Sequence, residues 1–421
     1  MEVLRTINLV ILILFTVSYA YQILYIPVPW LKKAKPHKQA VPHRFAVLIC
    51  ARNESSVIAD LIESIQNQTY DASLVHIFVL ADNCTDNTAQ IARDAGATVY
   101  ERFNKEKVGK GYALQTLLRY LGQDYPDGFD GYFVFDADNI LSPDYIERMN
   151  ETFSDGHQII TSYRNSKNYG DNWISAGYAL WFLRESRYLN QPRFLLNTSC
   201  AISGTGFFFS HEVLQQIGPW PFHLLTEDIE FSIYHVTQGH KIAFCPDAVL
   251  YDEQPTSFRQ SWRQRTRWAK GYMQVFACYG KDLVKGALKG NFSCFDMSMS
   301  IMPAFFLSAI SIISNVALTV MIILAGGSLS AALEPALGLL FSIYNFVFVI
   351  GIITTITEWK QIHTSTAKKI LYIFTFPLFM ATYIPISVAA LFQRNVQWKP
   401  IEHRVSAAQL RQRKNKDLLP F

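Results

Sequence analysis

The sequence has few charged residues and lacks the cysteine pattern of a disulfide-rich or zinc-stabilised fold. Asp, Glu, Lys and Arg make up 17% of its 421 residues, whereas hydrophobic residues make up 50%. None of the six cysteines forms a C-x-x-C pair, so we expect reduced thiols. The net charge of only +4 gives no indication of a nucleic-acid partner. This composition is too apolar for an ordinary soluble enzyme and too charged for a bundle made only of membrane helices.

Four apolar stretches predict membrane-spanning helices. The first, 7–26, contains no charged residue and would extend about 30 Å as a helix, the thickness of the hydrocarbon core. A cluster of lysines follows it, which favours a retained helix with a cytoplasmic C-terminal flank over a cleaved signal peptide. The other stretches lie at about 301–324, 336–356 and 370–392.

The predicted orientation contains a conflict at the C-terminus. Three crossings after a cytoplasmic domain would place the tail outside, whereas its many basic residues favour the inside. Either the tail violates the positive-inside rule, or one stretch is re-entrant or interfacial, with Pro303, Pro377 and Pro385 as candidate break points. We therefore divide the chain into an N-terminal membrane helix (1–29), a cytoplasmic domain (30–258), an interfacial segment (259–295), about three membrane helices (296–393) and a basic tail (394–421).

The cytoplasmic segment has the pattern of an α/β domain. Short apolar runs at 45–51, 75–81 and 132–135 alternate with helical patterns, which predicts a parallel sheet covered on both faces. Ligands bind outside the carboxyl ends of such strands. Polar clusters follow all three runs, namely Arg52-Asn53-Glu54, Asp82-Asn83-Cys84-Thr85-Asp86 and Asp136-Ala137-Asp138.

Two of the candidate sites suit phosphate chemistry. Asp136 and Asp138 follow a buried strand and provide the oxygen ligands that Mg2+ or Mn2+ would use while bridging a diphosphate, although a D-x-D sequence can also be an exposed acidic turn. Lys110 lies between two glycines at a predicted helix start, where it could reach phosphate oxygens or simply point into solvent.

Two further motifs suit proton transfer and sugar binding. The acids of Thr226-Glu227-Asp228 could include a general base, or they could belong to a helix N-terminus with Thr226 as its cap, and both can hold together. Arginine and tryptophan in the segment 264–268 could grip a phosphate and stack on a sugar ring, or could belong to an amphipathic helix at a membrane surface.

In this order the motifs resemble those of the processive family 2 glycosyltransferases, which include cellulose, chitin, hyaluronan and poly-N-acetylglucosamine synthases. The resemblance covers about 45–279, and its specific part is the T-E-D sequence followed by Q-x-x-R-W. It implies a GT-A-type, Rossmann-like catalytic domain flanked by transmembrane helices.

The resemblance also implies a role for each motif residue. Donor binding falls to Asn53, Glu54, Asp82, Lys110, Asp136, Gln264 and Arg267. Acceptor binding falls to Gly204, Thr205, Gly206 and Trp268. Asp136 and Asp138 would hold Mg2+ or Mn2+, and the catalytic acids would be Glu227 and Asp228, with Asp228 as the general base.

The function that follows is inverting transfer of sugar from a UDP-linked donor to a growing β-linked polysaccharide at the cytoplasmic membrane face. The alternative is non-processive transfer of one sugar to a membrane lipid or lipid-linked acceptor. A transporter or scaffold is disfavoured because the acidic motifs are intact and the span interiors are apolar. We expect the partners to be the nucleotide sugar, the acceptor and the bilayer, with a partner subunit for export left open.

Overall fold

The computed structural model describes residues 2–393, which form two compact units. The sheet unit comprises 28–169 and 182–254, and the helical unit comprises 2–27, 170–181 and 255–393. The predicted basic tail, 394–421, lies outside the described residues.

Helices occur in both units and are numbered in chain order. They are α1 (Glu2–Tyr19), α2 (Tyr21–Tyr25), α3 (Val28–Leu31), α4 (Ile58–Gln66), α5 (Thr88–Asp94), α6 (Lys110–Asp124), α7 (Tyr145–Ser154), α8 (Trp173–Glu185), α9 (Gln191–Leu195), α10 (His211–Ile217), α11 (Glu227–Thr237), α12 (Phe258–Leu288), α13 (Phe292–Ile301), α14 (Pro303–Leu324), α15 (Leu329–Thr357), α16 (Thr366–Ala381) and α17 (Tyr383–Phe392).

The sheet unit is built on one mixed sheet of eight strands. These are β1 (Phe45–Ala51), β2 (Val75–Asp82), β3 (Thr98–Arg102), β4 (Gly131–Phe135), β5 (Ile140–Leu141), β6 (Ile159–Ser166), β7 (Phe207–Ser210) and β8 (Ala243–Asp252). Their order across the sheet is β3-β2-β1-β4-β7-β6-β8-β5. Strands β3, β2, β1 and β4 run parallel, whereas β7 runs antiparallel to both of its neighbours.

The three predicted strands are confirmed, and the reason lies in their burial. Strand β1 is buried at six of its seven positions, as expected for a parallel strand covered on both faces. Helix α4 follows it and buries Ile58, Leu61, Ile62 and Ile65, a spacing that gives one apolar stripe. The carboxyl ends of β1, β2 and β4 therefore meet at one edge of the sheet, where their polar clusters follow.

A few polar contacts connect the apolar helices of the helical unit to one another. Asn8 on α1 and Asn315 on α14 exchange side-chain hydrogen bonds of 3.0 and 2.7 Å. Near the other end of this helix pair, the hydroxyls of Tyr21 and Tyr25 both donate to the buried carboxylate of Asp296. Because an unpaired polar group among apolar side chains is costly, these contacts help fix how α1 packs against α14 and how α2 packs against α13.

Within residues 2–393, three helices are long and apolar enough to cross a membrane, judged by length and composition. They are Arg5–Leu31, Leu333–Thr357 and Thr366–Phe392, and a shorter apolar helix covers Ala309–Leu324. The last of the three is broken at Thr382, between α16 and α17.

The break at Thr382 has a local cause and a specific partner. Pro385 lies four residues after Ala381, and its ring would collide with that carbonyl in a continuous helix. Of the three candidate prolines, Pro385 therefore accounts for the break, whereas Pro377 lies inside α16. The guanidinium of Arg265 donates to the Phe379 carbonyl and the Thr382 hydroxyl at 3.2 and 2.7 Å, which connects α12 to the chain at the break.

The core of the sheet unit is rich in aromatic side chains centred on Phe208. Its ring centroid lies 5.6 Å from that of Phe45, 5.1 Å from Phe133 and 4.8 Å from Phe153. These residues come from β7, β1, β4 and α7, so one ring ties three strands to a covering helix.

We expect Phe208→Ala to destabilise the protein by about 3–5 kcal/mol, because the lost ring leaves a cavity that rigid neighbours cannot fill. Phe103→Ala is the matched control, since that ring is 72% exposed. The measurement is the apparent midpoint of thermal unfolding of the full chain in lipid nanodiscs. Equal midpoints for the two variants would contradict the central position of Phe208.

Candidate active site

The first loops at the sheet edge are tied to each other by Asn53 and Glu54. The Asn53 side-chain oxygen accepts a hydrogen bond from the backbone N–H of Thr85 at 2.8 Å. The backbone N–H of Glu54 donates to the Thr88 hydroxyl at 2.8 Å. Two predicted donor-binding residues therefore connect the loop after β1 to the loop after β2, which holds both at the same edge.

Asp82 is held by an arginine that the sequence pattern did not single out. Arg102, on β3, donates to its carboxylate at 2.5 Å, and both side chains are 8% exposed. The Asn83 amide donates to the same carboxylate oxygen at 3.0 Å. Arg102 also donates to the carbonyl of Lys107, so it orders the loop before α6. The predicted donor-binding carboxylate is thus rigidly oriented.

Lys110 and the first aspartate of the D-x-D sequence contact each other in the structure. Lys110 is the first residue of α6, and its ammonium donates to Asp136 at 2.5 Å and to the Gly204 carbonyl at 2.9 Å. Burial alone would lower the pKa of Lys110, but the charges of Asp136 and Glu227 raise it above its ordinary value. The lysine therefore stays positively charged at the sheet edge.

The turn that carries the D-x-D sequence is braced by Thr205 and Asn139. The backbone N–H of Asp136 donates to the Thr205 hydroxyl at 2.8 Å and to the Asn139 side-chain oxygen at 3.1 Å. The Thr205 hydroxyl in turn donates to Asn139 at 2.5 Å. The Thr205 hydroxyl therefore fixes this turn, and the predicted contact of Thr205 with an acceptor remains a prediction.

Asp138 lies deeper, beside a second carboxylate that the sequence pattern also missed. It is 3% exposed and accepts a hydrogen bond from the backbone N–H of Glu253 at 3.0 Å. Its neighbour Asp252 ends β8. Burial raises the pKa of Asp252 to about 6. The negative charge of Asp138 and a hydrogen bond with Asp138 also raise this pKa, whereas Arg164 lowers it. Asp252 could have been noticed, because it follows the buried run of β8 as Asp136 follows β4.

The chemistry of the two D-x-D carboxylates fits a divalent metal. Residues 2–393 contain no group of three or more His, Cys, Asp or Glu side chains placed to hold a metal by themselves. Mg2+ commonly binds through one or two carboxylates and completes its coordination with substrate phosphates and water. Asp136 and Asp138 supply hard oxygen ligands of that kind, so Mg2+ or Mn2+ suits the donor set.

The predicted catalytic acids begin helix α11, but Thr226 does not cap it through its side chain. The helix starts at Glu227, and the buried Thr226 hydroxyl makes no capping hydrogen bond, which corrects that part of the interpretation. Asp228 instead accepts a hydrogen bond from the backbone N–H of Gly204 at 2.6 Å. Gly204 thus contacts Asp228 through its N–H and Lys110 through its carbonyl.

The two glycines around Thr205 are required by the backbone. Gly204 and Gly206 have φ angles of +82° and +68°, which side-chain-bearing residues rarely adopt. A Cβ atom on Gly206 would collide with the Leu250 side chain. These glycines permit the close approach of three elements, and their predicted contact with an acceptor remains a prediction.

The remaining predicted residues belong to the helical unit. Gln264, Arg267 and Trp268 lie on the long helix α12, and the Trp268 ring packs edge-on against Tyr178 at 5.8 Å. Their roles toward the donor and acceptor therefore stay predictions.

A model of a known protein family matches the part of the chain that contains the sheet and its polar edge. The model described as glycosyltransferase like family 2 matches residues 42–271. The chain belongs to glycosyltransferase family 2. It is therefore a glycosyltransferase, and the predicted enzyme class is confirmed.

Curated relatives of this family 2 glycosyltransferase include enzymes that are named for different products. A beta-monoglucosyldiacylglycerol synthase from Nostoc sp. is 25% identical over 287 residues, which cover 63% of this chain and 57% of that protein. A poly-beta-1,6-N-acetyl-D-glucosamine synthase from Staphylococcus epidermidis is 24% identical over 232 residues, which cover 54% of each. The chain spans about half the length of the curated relatives it matches.

A solved structure confirms the predicted GT-A, Rossmann-like fold. It is a mannosyltransferase from Pyrobaculum calidifontis in complex with GDP-Man and Mn2+. The match has a TM-score of 0.59 and covers 93% of this chain and 100% of that chain. At 16% identity this likeness establishes the fold alone.

We expect Arg102→Met to destabilise the protein by about 3–5 kcal/mol, because it leaves the Asp82 carboxylate buried without its partner. The Arg93–Glu101 pair offers a matched control at the same 2.5 Å separation, since its side chains are 42% and 40% exposed. Arg93→Met should therefore change stability by about 1 kcal/mol or less. Thermal unfolding of both variants in nanodiscs tests this, and a similar loss in both would show that burial of the Asp82 pair is unimportant.

Proposed function

We propose that this glycosyltransferase moves a sugar from a UDP-linked donor to a growing β-linked polysaccharide, with inversion and with Mg2+ or Mn2+. The observation that carries the proposal is the junction at Gly204. On one side of it lie the Lys110 ammonium and the first D-x-D carboxylate, which suit a diphosphate. On the other side lies Asp228, which suits proton abstraction from an acceptor. Both groups contact the same residue, so donor and acceptor chemistry would be held close together.

The proposed reaction is a single displacement. The Asp228 carboxylate takes the proton from an acceptor hydroxyl, and the resulting oxygen forms a bond to the anomeric carbon of the α-linked donor. The bond from that carbon to the diphosphate oxygen breaks, and the nucleoside diphosphate leaves with the electron pair. A bound divalent metal would supply charge stabilisation to the diphosphate. Lys110 is placed to neutralise the same negative charge, and the product linkage is β.

Of the two candidate acceptors, we favour a growing polysaccharide over a membrane lipid. The T-E-D and Q-x-x-R-W sequences support it, as does the similarity to a poly-beta-1,6-N-acetyl-D-glucosamine synthase. The second candidate is transfer of one sugar to a membrane lipid, which the similarity to a beta-monoglucosyldiacylglycerol synthase favours. The relevant residues of the helical unit, Gln264, Arg267 and Trp268, would contact donor and acceptor in either case.

We further propose that the enzyme is a multi-pass protein of the cell membrane with its sheet unit in the cytoplasm. The apolar helices support membrane insertion, and the lysines after the first of them support a cytoplasmic sheet unit. Nucleotide sugars would then be available from the cytoplasm, and a partner subunit could assist export of a polymer.

The donor and product can be identified with the purified protein in nanodiscs. We would supply a panel of nucleotide sugars with Mg2+ or Mn2+, measure nucleoside diphosphate release, and size the products. We expect release from one UDP-sugar and a ladder or high-mass product that the matching glycosidase degrades. A product with a single sugar on lipid would establish the second candidate, and failure of every nucleotide to bind would overturn both.

Asp228→Asn tests the catalytic base. Loss of a general base typically costs about 10²–10⁴-fold in rate, so we expect turnover to fall by that factor while the affinity for UDP is retained. Asp94→Asn is the control, since Asp94 is an exposed residue at the end of α5. Turnover of Asp228→Asn close to that of the wild type would show that another group accepts the proton.

A further inference from the structure

Arg164 is a charged residue in the middle of a buried strand, and no step of the proposed reaction uses it. It lies on β6, and its side chain is 14% exposed. The central carbon of its guanidinium lies over the ring of Phe182, 3.7 Å from the ring centroid. An isolated charge is costly to bury, so its position requires specific partners.

The guanidinium of Arg164 donates hydrogen bonds to two different partners, one at each of its edges. Its Nε donates to the Asp252 carboxylate at 2.8 Å, and its Nη2 donates to the same oxygen. Its Nη1 donates to the carbonyl of Ser203 at 2.8 Å. Because the fork of an arginine is planar and rigid, anchoring one edge on Asp252 fixes where the other edge points.

The Ser203 carbonyl belongs to the peptide group whose N–H is that of Gly204. That N–H donates to Asp228 at 2.6 Å. One peptide group therefore lies between the Arg164 cation at its oxygen and the Asp228 carboxylate at its N–H. Hydrogen bonds in such a chain polarise one another, so a cation at the carbonyl strengthens the N–H as a donor to the carboxylate.

The next peptide group along the chain is held in the same way. The Gly204 carbonyl accepts from the Lys110 ammonium at 2.9 Å. Two consecutive peptide groups are thus fixed by Arg164 and Lys110, and the φ angle of +82° at Gly204 sets the angle between them. A Cβ atom on Gly204 would lie 3.3 Å from Nη1 of Arg164, so the glycine also permits this approach.

We propose that Arg164 is a positioning residue for transfer, which acts by fixing the Ser203–Gly204 peptide and through it the carboxylate of Asp228. This inference rests on the proposed function, in which Asp228 is the base. Asp252 anchors Arg164 and also contacts Asp138, so one arginine connects the metal side of the site to the base side. A lysine could reach Asp252 or Ser203 but lacks the fork to hold both.

The first test is a double-variant cycle on turnover, with the UDP-sugar that gives product. We expect Arg164→Lys to lower kcat by about 10–100-fold, since a base displaced by about 1 Å loses effectiveness on that scale. UDP affinity should stay within about twofold. The Arg164→Lys/Asp228→Asn protein should be no slower than Asp228→Asn alone, because the arginine acts through that carboxylate. Arg148→Lys is the control, since Arg148 pairs with Asp144 and Glu151 on α7.

The second test needs no turnover. Hydrogen exchange of the segment 200–207, measured by mass spectrometry, should become faster in Arg164→Lys and stay unchanged in Arg148→Lys. Gly204→Ala keeps the guanidinium but disturbs the same peptide, because the added Cβ would lie 3.3 Å from Nη1 of Arg164 at a φ angle of +82°. It should reproduce the loss of kcat with UDP binding retained. This variant keeps the question answerable if Arg164→Lys does not fold.

The outcomes separate this inference from the proposed function. Additive losses in the double variant, or unchanged exchange of 200–207 in folded Arg164→Lys, would overturn the positioning role. A parallel loss of UDP affinity, kcat and thermal stability would assign Arg164 to the fold alone. If the wild-type protein transfers no sugar, the proposed function fails, and the exchange experiment still decides whether Arg164 orders the Ser203–Gly204 peptide.

Discussion

The cost of burying charge governs the sheet edge. The parallel strands bring polar residues to one place, and the covering helices remove much of the water that would otherwise solvate them. Three ion pairs lie at this edge: Asp82 with Arg102, Lys110 with Asp136, and Arg164 with Asp252. The loops that carry these residues then have little freedom, because moving one charge would leave another without a partner. The site is ordered by the same interactions that make its burial possible.

Local sequence patterns were sufficient for strands β1, β2 and β4 and for the polar clusters that follow them. An apolar run such as 45–51 indicates a strand that is buried on both faces, and the polar residues after it lie at the carboxyl end of that strand. Lys110 could be placed at a helix start because glycine and lysine mark such a position locally. The alternation of strands and helices placed Asp136 at this edge, whereas its contact with Lys110, 26 residues away, was not predicted.

Contacts between residues distant in sequence could not be predicted in the same way. Arg102 and Arg164 lie in strands, where nothing local distinguishes a paired arginine from an exposed one, and their partners are 20 and 88 residues away. The N-terminus of α11 gave a misleading signal, because Thr226 is a common capping residue, yet its hydroxyl makes no capping bond. The Thr382 break was foreseeable from Pro385, but its contact with Arg265 depends on how α12 packs against α16 and α17.

The reciprocal amide pair between Asn8 and Asn315 has a consequence for the order in which the chain can mature. Its two members are 307 residues apart, so helix α1 is synthesised long before its partner exists. Until α14 is synthesised, Asn8 lies on an apolar helix and lacks the amide that it contacts in the structure. The intervening sheet unit therefore has time to fold first. The N-terminal helix therefore reaches its final packing among the last events of biosynthesis. A ribosome-bound chain that ends before Asn315 would contain a folded sheet unit and an N-terminal helix that lacks its packing contact with α14.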